Sequence, residues 1–405
     1  MIADILTARE YIGQFDVPSQ LSSPPETHEA PARFYEPGLK AIFYDSVSYR
    51  SKPTRCFAWI GLPEGASRDN PVPGIVLIHG GGGTALANWV RHWNGLGYAA
   101  ISMDCCGATP CWSATPGWHP SWPRHEYGGA PGWGGFDKID LPVKEQWPYQ
   151  AVASVLRATA LLKGMPEVDA DRIGIAGISW GGFLALIASS VSPQNTYRFV
   201  IPVYASTHFT DHFSSTVDPA RCTEEQLKKW TQMWDPTPAL RKSATPTLFL
   251  TDAEDLAFAL PSWEKTTELQ EPGYVKRSLR IGYSHDHDAS MHSRTEAAFA
   301  GAVLNHEKLP EWGLVRNDGT KLRAAVEMNG RRIVSCKLCY TRAEGFWADR
   351  RWREIPLKTS DGQVEVDIPR HATAAFFAVA DDLGGIWTSR GVFFERRGAR
   401  PQTLS

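Results

Sequence analysis

A serine with glycine two positions away on either side, in Gly177-Ile178-Ser179-Trp180-Gly181, is the part of the 405-residue sequence best suited to covalent chemistry. A serine hydroxyl becomes a useful nucleophile only with a base beside it and an acid orienting that base. The small flanking residues let the chain turn sharply from strand to helix and lift the hydroxyl clear of the backbone. Three fixed positions in five recur by chance, so the pattern alone is weak. Its setting is stronger: the buried-strand run Arg172-Ile173-Gly174-Ile175-Ala176 leads into it, and a helical pattern starts near Gly182. The plain alternative is an ordinary strand-turn-helix with an incidental serine.

Acyl transfer also needs backbone donors for a developing oxyanion. The amide of Trp180, just after the serine, is one. The run His79-Gly80-Gly81-Gly82-Gly83, after an earlier apolar strand, offers Gly81 or Gly82 as the other. Glycine lets a backbone approach a substrate closely. This spacing matches neither nucleotide-phosphate fingerprint. For the acid, Asp252-Ala253-Glu254-Asp255 follows the strand Pro246 to Thr251, and Asp255 is far enough past the strand end to turn back toward a histidine. For the base, Tyr283-Ser284-His285-Asp286-His287-Asp288 follows the strand Ser278 to Gly282. His287, deeper in that loop, is the first choice and His285 the second.

Other histidine readings are weaker. His285, Asp286, His287, Asp288 and His292 form a metal-like cluster, and His208 and His212 sit at i, i+4 with Asp211 between them. The latter is not H-E-x-x-H, because no Glu follows the first His. A serine constellation needs neither, so no metal and no cofactor are expected. Cys336-Lys337-Leu338-Cys339 is a lone C-x-x-C inside a strand pattern and reads as ordinary strand residues.

The elements that must position these groups alternate. Gly74 to Ile78 and Tyr98 to Met103 are short apolar runs suited to strands buried on both faces. Helical patterns cover Ala85 to Leu96, Tyr149 to Leu162 and Ala289 to Leu304. Such alternation predicts a mostly parallel sheet with helices on both faces over residues 36–309. Residues 1–35, polar and Pro-rich, read as a loosely packed leader. Residues 105–150 break the rhythm; this Trp-, Gly- and Pro-rich insertion leaves the sheet where such folds bind ligands. Trp112, Trp118, Trp122 and Trp133, with Arg124 and His125, are candidate substrate contacts, though the tryptophans could equally anchor the loop. Residues 310–405 show short alternating strands with turn signals and read as a small all-β sandwich. There Trp347, Trp352, Phe376, Phe377 and Trp387 are expected to form the core.

A net charge of -2 gives no basic excess for nucleic acid or an anionic membrane. No run approaches the ~18 apolar residues of a membrane span, and the N-terminus lacks a signal-peptide core. Seven cysteines, an odd and sparse set, fit reduced thiols and a cytoplasmic location. Association of like chains stays open.

The run Asp169 to Phe183 (DADRIGIAGISWGGF) resembles the acetyl xylan esterase, dienelactone hydrolase and prolyl oligopeptidase branch of the α/β-hydrolases. His79 to Val90 (HGGGGTALANWV), Gly97 to Gly107 (GYAAISMDCCG) and Arg124 to Asp140 (RHEYGGAPGWGGFDKID) carry the same resemblance. It spans roughly residues 35–305 and implies an α/β-hydrolase fold followed by a β-domain. It implies Ser179 as nucleophile, Asp255 as acid and a histidine from the 285–287 loop. Where relatives carry Gly, this chain has Asp252, and Asp286 and Asp288 replace small residues beside the histidine. The expected activity is hydrolysis of carboxylic esters, including acyl esters of carbohydrates, through an acyl-enzyme. A serine peptidase of the prolyl oligopeptidase type acting on short peptides is one alternative. A non-catalytic binding protein on the same scaffold is the other.

Overall fold

The computed structural model describes residues 7–110, 122–208, 222–287 and 291–394. Its central sheet begins with an antiparallel edge: β1 (Thr27–Glu29), β2 (Lys40–Tyr49) and β3 (Lys52–Gly61). The parallel part contains β4 (Val72–Ile78), β5 (Ala99–Met103), β6 (Val168–Ile178), β7 (Phe199–Val203), β8 (Thr247–Asp252) and β9 (Val275–Arg280). The nine strands run in the order β1-β2-β3-β5-β4-β6-β7-β8-β9, with β5 antiparallel to β3 and every later pair parallel. The apolar runs of β5 and β7 are buried throughout, as strands covered on both faces must be.

Parallel neighbours need crossover connections, and helices supply them. Ahead of the sheet lie α1 (Ala8–Gly13) and α2 (Val17–Leu21). α3 (Ala87–Gly95) packs on β3 and β5, and α4 (Trp147–Lys163) packs against α5 (Trp180–Val191) over β4 and β6. Then come α6 (Glu224–Trp234), α7 (Thr237–Leu240), α8 (Leu260–Thr267) and α9 (Arg294–Leu304). Residues 7–35, part of a segment expected to pack loosely, are instead tied to the body. Tyr11 and Phe15 are buried, and the Tyr11 hydroxyl donates to the Trp234 carbonyl at 2.8 Å. Aromatic anchors on α1 and just after it outweigh the polar composition around them.

Two antiparallel sheets follow. One pairs β12 (Lys321–Glu327) with β10 (Glu311–Trp312), β11 (Arg316–Asn317) and β15 (Gln363–Asp367). The other joins β13 (Ile333–Thr341), β14 (Trp352–Pro356), β16 (Ala374–Asp381), β17 (Ile386–Thr388) and β18 (Val392–Phe393). Trp312 of the first sheet stacks on Phe377 of the second, with ring centroids 5.6 Å apart. Phe376, Phe377 and Trp387 are buried, while Trp347 and Trp352 are partly covered. This β-domain docks against β9 and α9: Leu279 N of β9 donates to Thr388 Oγ1 at 3.1 Å, and Ile386 N donates to Thr295 Oγ1 of α9 at 2.9 Å. Among the described residues, no helix is long and apolar enough to cross a membrane.

Candidate active site

Ser179 sits at the turn between β6 and α5 with φ 55° and ψ −120°, a left-handed conformation strained for a side-chain-bearing residue. Its surroundings impose that conformation. The Ser179 amide donates to Val203 O at 2.8 Å, and its carbonyl accepts from Phe183 N at 3.0 Å. A Cβ on Gly177 would lie 2.3 Å from Gly181 O, and one on Gly181 would lie 2.1 Å from Ile78 O. Only hydrogen fits at either position, which is why both ends of the pattern are glycine. The serine is 8% exposed, so it sits almost wholly within the packed core. Trp180 opens α5, where amides point away from the helix body and favour negative charge.

The glycine loop after β4 passes directly over this turn. A Cβ on Gly80 would meet Ser179 Cβ at 3.0 Å and His287 Nε2 at 3.1 Å. One on Gly81 would meet Trp180 Cδ1 at 2.9 Å and the Trp133 ring at 3.1 Å. The structure thus brings Gly81, Trp180 and Trp133 together beside the serine. Gly82, at φ +69°, offers its carbonyl to Trp122 Nε1 at 2.9 Å.

The two loop histidines separate. Asp255, buried just past β8, accepts from His285 Nδ1 at 2.7 Å through Oδ2. Its Oδ1 takes the amides of Ala257 and Phe258 at 2.8 and 2.5 Å. The His285 ring stacks on Tyr204 at 4.6 Å, and Tyr204 directly follows the carbonyl that holds the Ser179 amide. The Tyr204 hydroxyl donates to Ser284 O at 2.7 Å, which braces the loop. His287, the first choice from sequence as Asp255's partner, lies elsewhere. Its Nε2 accepts the Gly80 amide at 3.0 Å, its carbonyl accepts from Trp89 Nε1 at 2.8 Å, and its ring stacks on Trp89. Burial, with His79 and His285 nearby, pushes its pKa down to about 4. Asp252, the last residue of β8, is pushed up to about 6 by burial.

The remaining candidates divide as well. A cavity of about 610 Å³ beside the glycine loop is lined by Gly83, Cys106, Trp122, Arg124 and Trp133, among others. Arg124 also braces the loop, donating to Cys106 O and, at 2.6 Å, to Gly129 O. His125 packs edge-on against Phe43 of β2 and is not among the cavity-lining residues. Trp112, Trp118, His212 and Asp288 lie outside the described residues. His292 packs edge-on against His92, and His208 Nδ1 lies 2.7 Å from Thr207 Oγ1. Sequence reasoning missed Tyr204 and Trp89. It also missed Trp230 of α6, whose ring stacks on Phe183 and whose Nε1 donates to Gly134 O at 2.8 Å. No local signal marks these; they act through contacts distant in sequence.

Sheet order, the strained serine turn and the glycine loop together define an α/β-hydrolase of the serine type. The profile of the family "Acetyl xylan esterase (AXE1)" matches residues 39–260, more than half of the chain. The chain belongs to this family and is a carboxylic ester hydrolase. Among solved structures, it resembles acetyl xylan esterase from Paenibacillus sp. R4 at 20% identity and a TM-score of 0.53, covering 70% of this chain and 91% of that one. Acetyl Xylan Esterase 1 from Thermoanaerobacterium sp. JW/SL YS485 aligns at 14% identity with a TM-score of 0.49, covering 69% and 89%. An acylaminoacyl peptidase from Pyrococcus horikoshii aligns at 15% identity with a TM-score of 0.45, covering 64% and 40%.

Proposed function

We propose that the protein removes acetyl groups from carbohydrates, with Ser179 as nucleophile, His285 as base and Asp255 as the orienting acid. The observation that carries the assignment is the 2.7 Å contact between Asp255 Oδ2 and His285 Nδ1. That contact places the proton on Nδ1 and leaves Nε2 as the acceptor, the tautomer a general base needs. Among the described residues, no carboxylate is hydrogen-bonded to the His287 ring, and its Nε2 already accepts the Gly80 amide. A pKa near 4 also makes it a weak proton acceptor at neutral pH. The second reading, His287 as base, is favoured by its position across Gly80 from Ser179.

Ser179 Oγ attacks the acetyl carbonyl carbon as His285 Nε2 takes its proton. The amides of Trp180 and of Gly81 or Gly82 hold the oxyanion. His285 returns the proton to the departing sugar hydroxyl, leaving acetyl-Ser179. Water, deprotonated by His285, then releases acetate. Trp122 and Trp133 present flat apolar ring faces to the sugar, the indole N–H of Trp122 being held by Gly82 O. The reduced thiols of Cys56, Cys105, Cys106, Cys336 and Cys339 fit a cytoplasmic location. The test is a panel of nitrophenyl acetate, acetylated xylo-oligosaccharides and peptide anilides, run on wild type and Ser179→Ala. Deacetylation by wild type and a loss of several orders of magnitude in the variant are expected. Undiminished ester hydrolysis by Ser179→Ala would sink the nucleophile assignment; preferential anilide cleavage would sink the substrate assignment.

A further inference from the structure

Beneath the glycine loop lies a cluster that the ester chemistry does not use. We propose that Cys105, Cys106 and His79 form a binding site for a soft divalent cation of the zinc class, at the wall of the cavity beside the glycine loop. The parallel register of β4 and β5 pairs Ile78 with Met103, so the residues that follow each strand meet. Cys105 Sγ lies 3.2 Å from His79 Nε2 and 3.9 Å from Cys106 Sγ. The three ligand atoms all lie within 4.8 Å of one another. Tetrahedral zinc, with Zn–S near 2.3 Å and Zn–N near 2.0 Å, sets such ligand atoms about 3.5–3.8 Å apart. The side chains are therefore already gathered to that scale.

The second ring nitrogen supports the same reading. His79 Nδ1 lies 2.7 Å from Gly80 O, so it carries the ring proton and Nε2 is the acceptor, 3.2 Å from Cys105 Sγ. A ligating histidine is ordinarily held this way, with its far N–H on a carbonyl. The Cys105 amide, 3.0 Å from Nε2, is the donor a cation would displace. The Asp104 carboxylate, 3.5 Å from Nε2, adds negative charge nearby. Binding would replace two thiol protons, released to solvent, with one divalent cation, so the buried site gains no net charge. Cys106 lines the cavity with Trp122 and Trp133, which provides an entry path. Because His79 Nδ1 holds Gly80, and the Gly80 amide meets His287, a bound cation would restrain the oxyanion loop.

Cadmium is the probe, because its thiolate complexes absorb in the ultraviolet. The reduced, metal-stripped full-length protein is titrated with Cd²⁺ while charge-transfer absorption, bound metal and released protons are followed. One cation per chain and two protons per cation are expected. Cys105→Ser and Cys106→Ser should each weaken binding at least tenfold, whereas Cys336→Ser in the β-domain should leave it unchanged. In parallel, Cd²⁺ should slow nitrophenyl acetate hydrolysis by wild type, and a chelator should restore it. No thiolate band in wild type, or undiminished binding in both cysteine variants, would overturn the site. Full binding with unchanged hydrolysis would overturn its link to the oxyanion loop. The binding readout does not depend on the esterase assignment, so the two can fail separately.

Discussion

Asp255→Asn tests the assignment of the base directly, because the surroundings dictate how the new amide must sit. Oδ1 of Asp255 is held by two backbone donors, Ala257 N at 2.8 Å and Phe258 N at 2.5 Å. An asparagine must therefore keep its oxygen at that position, since its NH₂ group cannot accept from either amide. Its NH₂ then occupies the Oδ2 position and faces His285 Nδ1, which lies 2.7 Å from Oδ2 in the native protein. To accept from that NH₂, the imidazole must move its proton to Nε2, and Nε2 can then no longer take a proton from Ser179. The wrong tautomer in a Ser-His-Asp triad costs ~10⁴-fold in kcat. That is about 5 kcal/mol of transition-state stabilisation. The substitution preserves shape and both backbone hydrogen bonds, so the melting temperature should change little. Steady-state hydrolysis of nitrophenyl acetate would read the effect, with circular dichroism to confirm folding. A folded variant that retained more than about a tenth of wild-type kcat would refute the pairing of Asp255 with the catalytic base. If His287→Ala abolished turnover in the same assay, the base would move to His287.

Three further outcomes follow from other parts of the structure. Gly181→Ala places a methyl group 2.1 Å from the Ile78 carbonyl, a backbone atom that cannot swing aside; it should cost ~3 kcal/mol, seen as a lower denaturant midpoint, and an unchanged midpoint would contradict the packing described. Trp133→Ala should raise KM for acetylated oligosaccharides about tenfold, from ~1.5 kcal/mol of lost ring contact, with a smaller effect on nitrophenyl acetate; equal effects on both substrates would remove Trp133 from sugar binding. Burial raises the Glu296 pKa to about 7, above its unfolded value, so its stabilising contribution is present below pH ~4.5 and fades as pH rises through 7. Glu296→Gln should therefore gain on wild type by up to ~3 kcal/mol between pH 5 and 8, as measured by urea unfolding; a pH-independent difference would count against the buried acid. His287 acts in the opposite sense, because its folded pKa of about 4 lies below the unfolded value, and its contribution is lost as pH falls from 6.5 toward 4.

Parts of this site were legible in the sequence because local sterics write them there. Gly177 and Gly181 flank the serine turn because a Cβ at either position would strike backbone, and that requirement shows in five consecutive residues. The alternation of strands and helices was legible for a similar reason, since the buried runs of β5 and β7 carry their environment in their composition. Which of His285 and His287 meets Asp255 was not. Two positions in one loop differ by where the chain passes, and that path is set from far away. The Tyr204 hydroxyl holds Ser284 O, while the Trp89 indole holds His287 O. Neither contact leaves a trace near residue 285. The thiol–imidazole cluster shows the same principle from the other side. Cys105-Cys106 is visible as a pair in any reading of the chain. His79 becomes its neighbour only through the register that pairs Ile78 with Met103 across β4 and β5. What a side chain does here follows from which strand ends meet at the top of the sheet. A reading confined to loop spacing cannot rank residues whose roles are assigned by strand order.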